Sequence, residues 1–370
     1  MNFTLILSDA HLAPIFQSER LPYRGSAFAP DAELSRTIDE AVMRAKRHNV
    51  PLEVVLAGDV FDLDVPRDGE EARRCCALFD VRTDDGGAYV LKQTLNDHLG
   101  VVLALRRALA AGAKVTVIPG NHDAQLGLSG PQAVLQQMVG GDVLFRPWCH
   151  LAAGGLVLVE HGHQYDPLCT VNRLVPTART ETTVGTVSSF YAPLLLEADP
   201  FVTDPFSDRK KALATLRETV ARFGATPLVR CARDLLAASL DRPAPDDTHE
   251  LAAQAAMDPQ LAGLRQALFA SKATILEALD ITGYAAKVDR AIDHAMTVAT
   301  DVHGAKVAVV GHTHAPGSRQ LSNGATLLNS GSWTPRRAAD APVGTFAWIV
   351  TNGRHVVSTD VLAVRRKAWS

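Results

Sequence analysis

The chain has only five cysteines, an odd number, with Cys75 and Cys76 adjacent and no pair at C-x-x-C spacing. A disulfide framework or a thiolate zinc site is therefore not expected, and a reducing compartment is the default. No uncharged apolar run reaches the roughly 18 residues that a membrane-spanning helix needs. The first residues carry no basic n-region and only a short apolar run, so no signal peptide is expected and a cytoplasmic location follows. There is no basic block either. The 37 Lys and Arg residues are outnumbered by 40 Asp and Glu, for a formal charge of −3. General binding to nucleic acid, a DNA nuclease included, is disfavoured on that count. No internal repeat or low-complexity tract stands out.

At 370 residues with 47% hydrophobic content, the chain can bury a large core, and one or two domains are expected. Short apolar runs at 3–7, 52–57, 114–118, 156–159 and 306–310 read as buried strands, and they alternate with helical patterns, which predicts an α/β layered architecture. Pro30-Asp31 opens a helix to about His48, with Leu34, Ile38, Ala41 and Val42 at helical spacing. A second helix is expected over 90–111, stopped by Gly112. Alternating runs at 345–350 and 355–359, split by Asn352-Gly353, predict a hairpin. Such an ending suggests a mixed sheet or two packed sheets. Between Asp166 and Gly304 no clear strand is read. Helical periodicity at 209–223, 227–240, 259–278 and 284–302 predicts a helical cap inserted at 166–304, its last helix rejoining a core formed by 1–165 and 305–370.

Each of the five strands is followed directly by an island of Asp, Asn or His: Asp9-Ala10-His11, Gly58-Asp59-Val60-Phe61-Asp62, Gly120-Asn121-His122-Asp123, His161-Gly162-His163 and Gly311-His312-Thr313-His314. In an open α/β sheet, ligands gather beyond the carboxyl ends of the strands. Asp-x-His places a carboxylate and an imidazole on one strand face, because residues i and i+2 share a face. Asp59 adds a carboxylate able to bridge two ions. Asn121 offers an amide oxygen, and Asp123 is a carboxylate able to orient the neighbouring His122. His312 and His314 repeat the i, i+2 geometry. Each island alone is weak, since Gly-Asp and Asp-x-His are common on surfaces. The ordered set of five is not.

With this ordered set the chain resembles the calcineurin-like metallophosphoesterase family, from Asp9 to His314 but not across the cap. The resemblance implies two mixed sheets packed face to face and flanked by helices, a four-layer sandwich, with a two-metal centre at the strand ends. It implies that Asp9, His11 and His314 hold one metal, that Asn121, His161 and His312 hold the other, and that Asp59 bridges them. Two divalent ions would clamp an in-line displacement in which activated water attacks phosphorus. His122, oriented by Asp123, would serve the leaving-group or an equatorial phosphate oxygen. Asp62 would support a ligand by hydrogen bonding. Nitrogen and oxygen donors without sulfur suit Mn, Fe, Zn or Co, with manganese preferred.

Around the islands, His163 is expected to support the centre or face substrate, and Glu160 to be a structural partner rather than a base. Arg173 is the cap candidate for a substrate anion, while Arg336 and Arg337, and equally Arg20 and Arg24, either grip a phosphate or carboxylate bidentately or are solvated. His48, His98, His150, His249, His294, His303 and His355 are expected at the surface or at caps. Residues 184–206, with Phe190, Tyr191, Leu195, Phe201 and Phe206, read either as packing of cap on core or as a lid for acyl chains or a peripheral membrane contact. The insert's position is similar to that in the UDP-2,3-diacylglucosamine diphosphatase branch. A phosphohydrolase acting on a lipid-linked or nucleotide-sugar substrate follows from that. A soluble nucleotide phosphodiesterase or phosphatase, and a metal-retaining interaction module without turnover, are the alternatives.

Overall fold

The computed structural model describes residues 1–14, 30–63, 84–166, 169, 174–176, 181–183, 283–334 and 342–365. Arg20, Arg24, Arg173, Arg336 and Arg337, the apolar segment 184–206 and the expected helices at 209–223, 227–240 and 259–278 lie outside them. Among the described residues, the architecture is a mixed α/β fold with two mixed sheets and five α-helices.

The first sheet runs in the order β13 (Val356–Val364), β12 (Gly344–Thr351), β1 (Asn2–Leu7), β2 (Leu52–Ala57), β3 (Lys114–Ile118) and β4 (Val143–Phe145). Strands β1 to β4 are parallel, while β12 and β13 form the expected antiparallel hairpin on the β1 edge. The second sheet runs β10 (Gly317–Gln320), β11 (Thr326–Asn329), β9 (Val307–Val310), β6 (Val157–Glu160) and β5 (Cys149–Ala152), with β11, β9 and β6 parallel.

Period-two alternation explains why the strands are apolar on both faces. In the first sheet Leu5, Leu7, Val54, Leu56, Val115 and Val117 join one cluster. It also holds Leu34 and Ile38 of α1 (Asp31–His48), Leu91 of α2 (Asp84–Asp97), Leu105 of α3 (Leu99–Ala110) and Leu135 of α4 (Ser129–Val139). The intervening Ile6, Val55, Ala57 and Ile118 share a second cluster with Val157, Val159, Val307, Val309 and Leu328 of the other sheet. The opposite residues of that sheet, Leu158, Ala308, Val310 and Leu327, pack with Val288, Ile292 and Met296 of α5 (Tyr284–His303). Thus α5 lies on the second sheet.

Three readings are corrected. A two-stranded ladder, β7 (Leu174–Pro176) with β8 (Glu181–Thr183), lies where no strand was read; three-residue strands are too short to show alternation. The helix read over 90–111 is two helices, broken at His98 (φ −113°, ψ 43°). Its first part starts early, at Asp84, despite the poor helix formers Gly86 and Gly87. His98 stands at the N-cap of α3, a capping position as expected, but it is buried, and His150 is buried, not at the surface. His98 meets the Asp31 carboxylate through Nδ1 at 2.9 Å and the Ala13 carbonyl through Nε2 at 2.8 Å, while His150 Nε2 lies 2.7 Å from Glu53 Oε1. No helix among the described residues is long and apolar enough to cross a membrane.

Candidate metal centre

All five islands follow the carboxyl ends of parallel strands, three in one sheet and two in the other, and backbone bonds draw the ends together. Asp9 N donates to Gly58 O at 3.0 Å and Gly311 N to His161 O at 2.9 Å within the sheets. Between sheets, His312 N lies 3.1 Å from each Asp9 carboxylate oxygen. The turns are tight. Asp9, His11, Asp59, His312 and His314 all have left-handed backbones, with φ between 48° and 63°. Only two other described non-glycine residues, Asn49 and Ala153, share that region. Left-handed backbone costs an ordinary residue on the order of 1 kcal/mol. Its concentration in expected ligands is a signature of a site, not of the turns alone. Gly58 is required twice over: its φ is 83°, and a Cβ there would meet the His161 ring at 2.5 Å.

Among the described residues four groups have their potential ligand atoms mutually within 4.8 Å, two of them made of the expected ligands, with His11, Asp62 and His122 and also Asp166, Cys169 and His312 adjoining them. Of the two expected groups, one is Asp9, His11 and His314; the other is Asp59, His161 and His312. In the first, His314 Nε2 lies 3.1 Å from Asp9 Oδ1 and 3.3 Å from His11 Nε2. In the second, His161 Nε2 lies 3.1 Å from Asp59 Oδ2. The Asp9, Asp59 and His161 side chains are at most 2% exposed, whereas those of His314 and His122 reach 12% and 18%. The open side of the site is therefore the side of His122 and His314.

Buried atoms without partners show that the donors fit cations. His161 Nδ1 faces the Ala57 carbonyl at 2.9 Å, so it carries the ring proton and Nε2 keeps a lone pair. That Nε2 is buried without hydrogen-bond geometry to any neighbour, although a carboxylate oxygen is close; Asn121 Oδ1 is likewise buried and unpartnered. A lone pair against a carboxylate needs a proton or a metal between them. In the absence of metal, burial disfavours charge on His161, but Asp59 and Asp9 outweigh it and push its pKa up to about 9. Burial also opposes charge on the carboxylates. The His314 and His161 rings nevertheless hold Asp9 below its usual range, and His161 and His122 hold Asp59 well below. A ligand set that gathers a proton in this way is one whose charge balance calls for cations.

The pairing of His122 with Asp123 is corrected. His122 Nδ1 faces Asp62 Oδ1 at 3.1 Å, and the other oxygen of Asp62 faces His11 Nδ1 at 3.6 Å. Asp123 instead accepts the backbone N–H groups of Gly120, Asp59, Val60 and Phe61 at 2.6, 3.2, 3.0 and 3.3 Å. Neighbouring side chains diverge, so Asp123 turns inward and ties the Gly58 loop to the Gly120 loop. Burial and the Asp59 charge raise its pKa to about 7 against the pull of those N–H groups.

His163 is buried beside His161, ring centroids 5.3 Å apart, and its Nδ1 has no partner. Burial, then the neighbouring His161 and His312, hold its pKa well below the usual imidazole range, so it is neutral. Glu160 is a structural partner, accepting the Tyr165 hydroxyl at 2.8 Å. Sequence reasoning missed Asp166. Its Oδ2 lies 3.1 Å from His312 Nε2, which fixes the ring so that Nδ1 is the nitrogen left for a metal. The available signal was its place five residues after His161 in a short His-rich turn.

No protein-family model matches the chain, and no curated protein matches it. Among solved structures, wild-type Vps29 complexed with zinc from Entamoeba histolytica is 22% identical over 19% of this chain, with a TM-score of 0.14. The chain spans 45% of the length of that protein. The phosphopantetheinyl hydrolase PptH from Mycobacterium tuberculosis is 12% identical over 91% of this chain and 93% of its own, with a TM-score of 0.24. Likenesses at these scores carry no weight for fold or function.

Proposed function

We propose that this chain is a metal-dependent phosphohydrolase of the calcineurin-like metallophosphoesterase kind, with the two donor groups holding a pair of divalent ions. The observation that carries this reading is the pair of His/Asp groups at one strand-end edge, with His161 Nε2 buried against the Asp59 carboxylate and Asn121 Oδ1 buried without a hydrogen-bond partner. Asp9, His11 and His314 would hold one ion, Asn121, His161 and His312 the other, with Asp59 shared by the two. Bound ions supply Lewis-acid activation of water and neutralise charge at phosphorus. The chain's own contribution is orientation. Asp62 holds His122 through Nδ1, which leaves Nε2 to give a proton to the leaving oxygen or to hydrogen-bond a phosphate oxygen at the open side. Asp166 holds His312, and Asp123 braces the two loops that present Asp59 and Asn121. Manganese is the preferred metal, with Fe, Zn or Co as substitutes.

The finer reading is a lipid-linked or nucleotide-sugar phosphate ester or pyrophosphate in a cytoplasmic setting, with the 166–304 insert as cap and Arg173 and Arg336 on the substrate anion. Its support is the insert's place between the His161 and His312 strands. The test is a metal-supplemented panel of bis-p-nitrophenyl phosphate, linear and cyclic nucleotides and acylated nucleotide sugars. Manganese-dependent hydrolysis is expected, with Asp59→Ala and His122→Ala each lowering turnover by about a hundredfold or more. Equal rates in wild type and Asp59→Ala would remove the two-metal reading. Preference for soluble nucleotides over acylated substrates would select the nucleotide phosphodiesterase instead.

A further inference from the structure

His312 belongs to two donor groups at once. Its ring joins Asp59 and His161 on one side, and on the other it joins Asp166 and Cys169, whose ligand atoms also lie within 4.8 Å of it and of one another. Local chain geometry builds the second group. Asp166 N donates to His163 O at 3.1 Å and Cys169 N donates to Asp166 O at 3.0 Å, so two successive turns carry Asp166 and Cys169 to the same side. Asp166 is buried, and Cys169 and His312 are half-buried. The group therefore stands in a partly dry environment. It also supplies the sulfur that the dinuclear set lacks.

We propose that Asp166, Cys169 and His312 Nε2 form a separate thiolate site selective for zinc, whose occupancy withdraws His312 from the dinuclear centre. A carboxylate, an imidazole and a thiolate with one open position are a zinc-type set. The thiolate selects zinc over manganese, which favours oxygen donors. Binding displaces the thiol proton of Cys169 to solvent and shifts the single proton of the neutral His312 ring from Nε2 to Nδ1; no oxidation is involved. Competition follows from the ring itself. A neutral imidazole has one lone pair, so it serves a metal through Nδ1 or through Nε2, and serving both requires losing its last ring proton. Zinc at Nε2 moves the remaining ring proton to Nδ1 and closes that nitrogen to the ion beside Asp59 and His161. Excess zinc would then act as a brake that manganese does not apply. The absence of any C-x-x-C pair argued against a thiolate zinc site from sequence; here the partners of the sulfur are a carboxylate and a histidine brought in by the fold.

The braking effect rests on the hydrolase reading, whereas the site does not, and two measurements separate them. Cobalt titrated into the reduced, metal-free full-length chain is expected to give a near-ultraviolet sulfur-to-cobalt charge-transfer band. The band should vanish in Cys169→Ser, weaken in Asp166→Asn and persist in Cys149→Ser, a control for a cysteine in the same apolar cluster. No band in wild type, or a band kept in Cys169→Ser, overturns the site whether or not the protein hydrolyses anything. In the manganese-supported assay, Cys169→Ser should keep the wild-type rate and need at least about tenfold more zinc for half-inhibition. An unchanged zinc sensitivity in Cys169→Ser overturns the brake while leaving the hydrolase reading intact.

Discussion

Asp62 and Asp123 are both fully buried carboxylates beside the His122 loop, and their partners divide them. Asp62 faces imidazole nitrogens, while Asp123 is occupied by four backbone N–H groups. Asp62→Asn keeps the volume but can no longer fix two rings by charge, so turnover should fall about tenfold to a hundredfold with little change in stability. Asp123→Ala strands buried N–H groups and should cost on the order of 3–5 kcal/mol, read from urea denaturation. If Asp62→Asn unfolded the protein while Asp123→Ala left stability untouched, the assignment made from these contacts would be reversed. From sequence, both residues are visible as island carboxylates. Which one meets His122 is not, because it depends on how the Asp59–Asp62 turn closes over the Asn121–Asp123 turn from another strand.

The elements themselves were largely legible, because uninterrupted apolar strands and amphipathic helices are local patterns. The α1 helix ends at His48 as read, with Asn49 in the left-handed conformation (φ 51°) closing it through bonds to Ala45 and Lys46. The hairpin at Asn352-Gly353 is present. The break at His98 was hidden because residues on both sides keep helical spacing, and only the distant Asp31 and Ala13 reveal why the chain leaves the helix there. Both ring nitrogens meet acceptors, which favours the imidazolium. Burial opposes that charge, but the Asp31 carboxylate and the Ala13 carbonyl outweigh it and raise the pKa. A raised folded-state value means the stabilisation is fully present below the unfolded pKa near 6.5 and is lost as pH rises through the folded value. His98→Gln should therefore cost about 2 kcal/mol below pH 6.5 and less at higher pH. A gap between wild type and variant that widens with pH in denaturant titrations would refute the imidazolium.

At the scale of the molecule, two sheets share one apolar cluster and deliver their parallel strand ends to one edge, so candidate ligands from Asp9 to His314 meet across the interface. That convergence has a cost in the metal-free protein: five of the proposed ligands sit in left-handed backbone, and a buried cluster of carboxylates must gather protons. Metal and proton thus compete for the same place. The pKa of His161 rises from 6.5 to about 9, so its protonation stabilises the metal-free fold fully below pH 6.5, and that contribution disappears as pH climbs through 9. Asp123, raised from 3.8 to about 7, adds a loss of the same sign over its own lower window. A metal ion that displaces the His161 proton binds more tightly as that proton becomes easier to remove, by at most about tenfold per pH unit for one proton. Melting temperatures measured with and without manganese should therefore diverge between pH 6.5 and 9. The metal-free protein is expected to lose stability across that window while the metal-loaded protein holds it, and calorimetry should register proton release on binding at pH 7. Parallel melting curves across the window, with no proton released, would mean that His161 Nε2 is not where the cation goes.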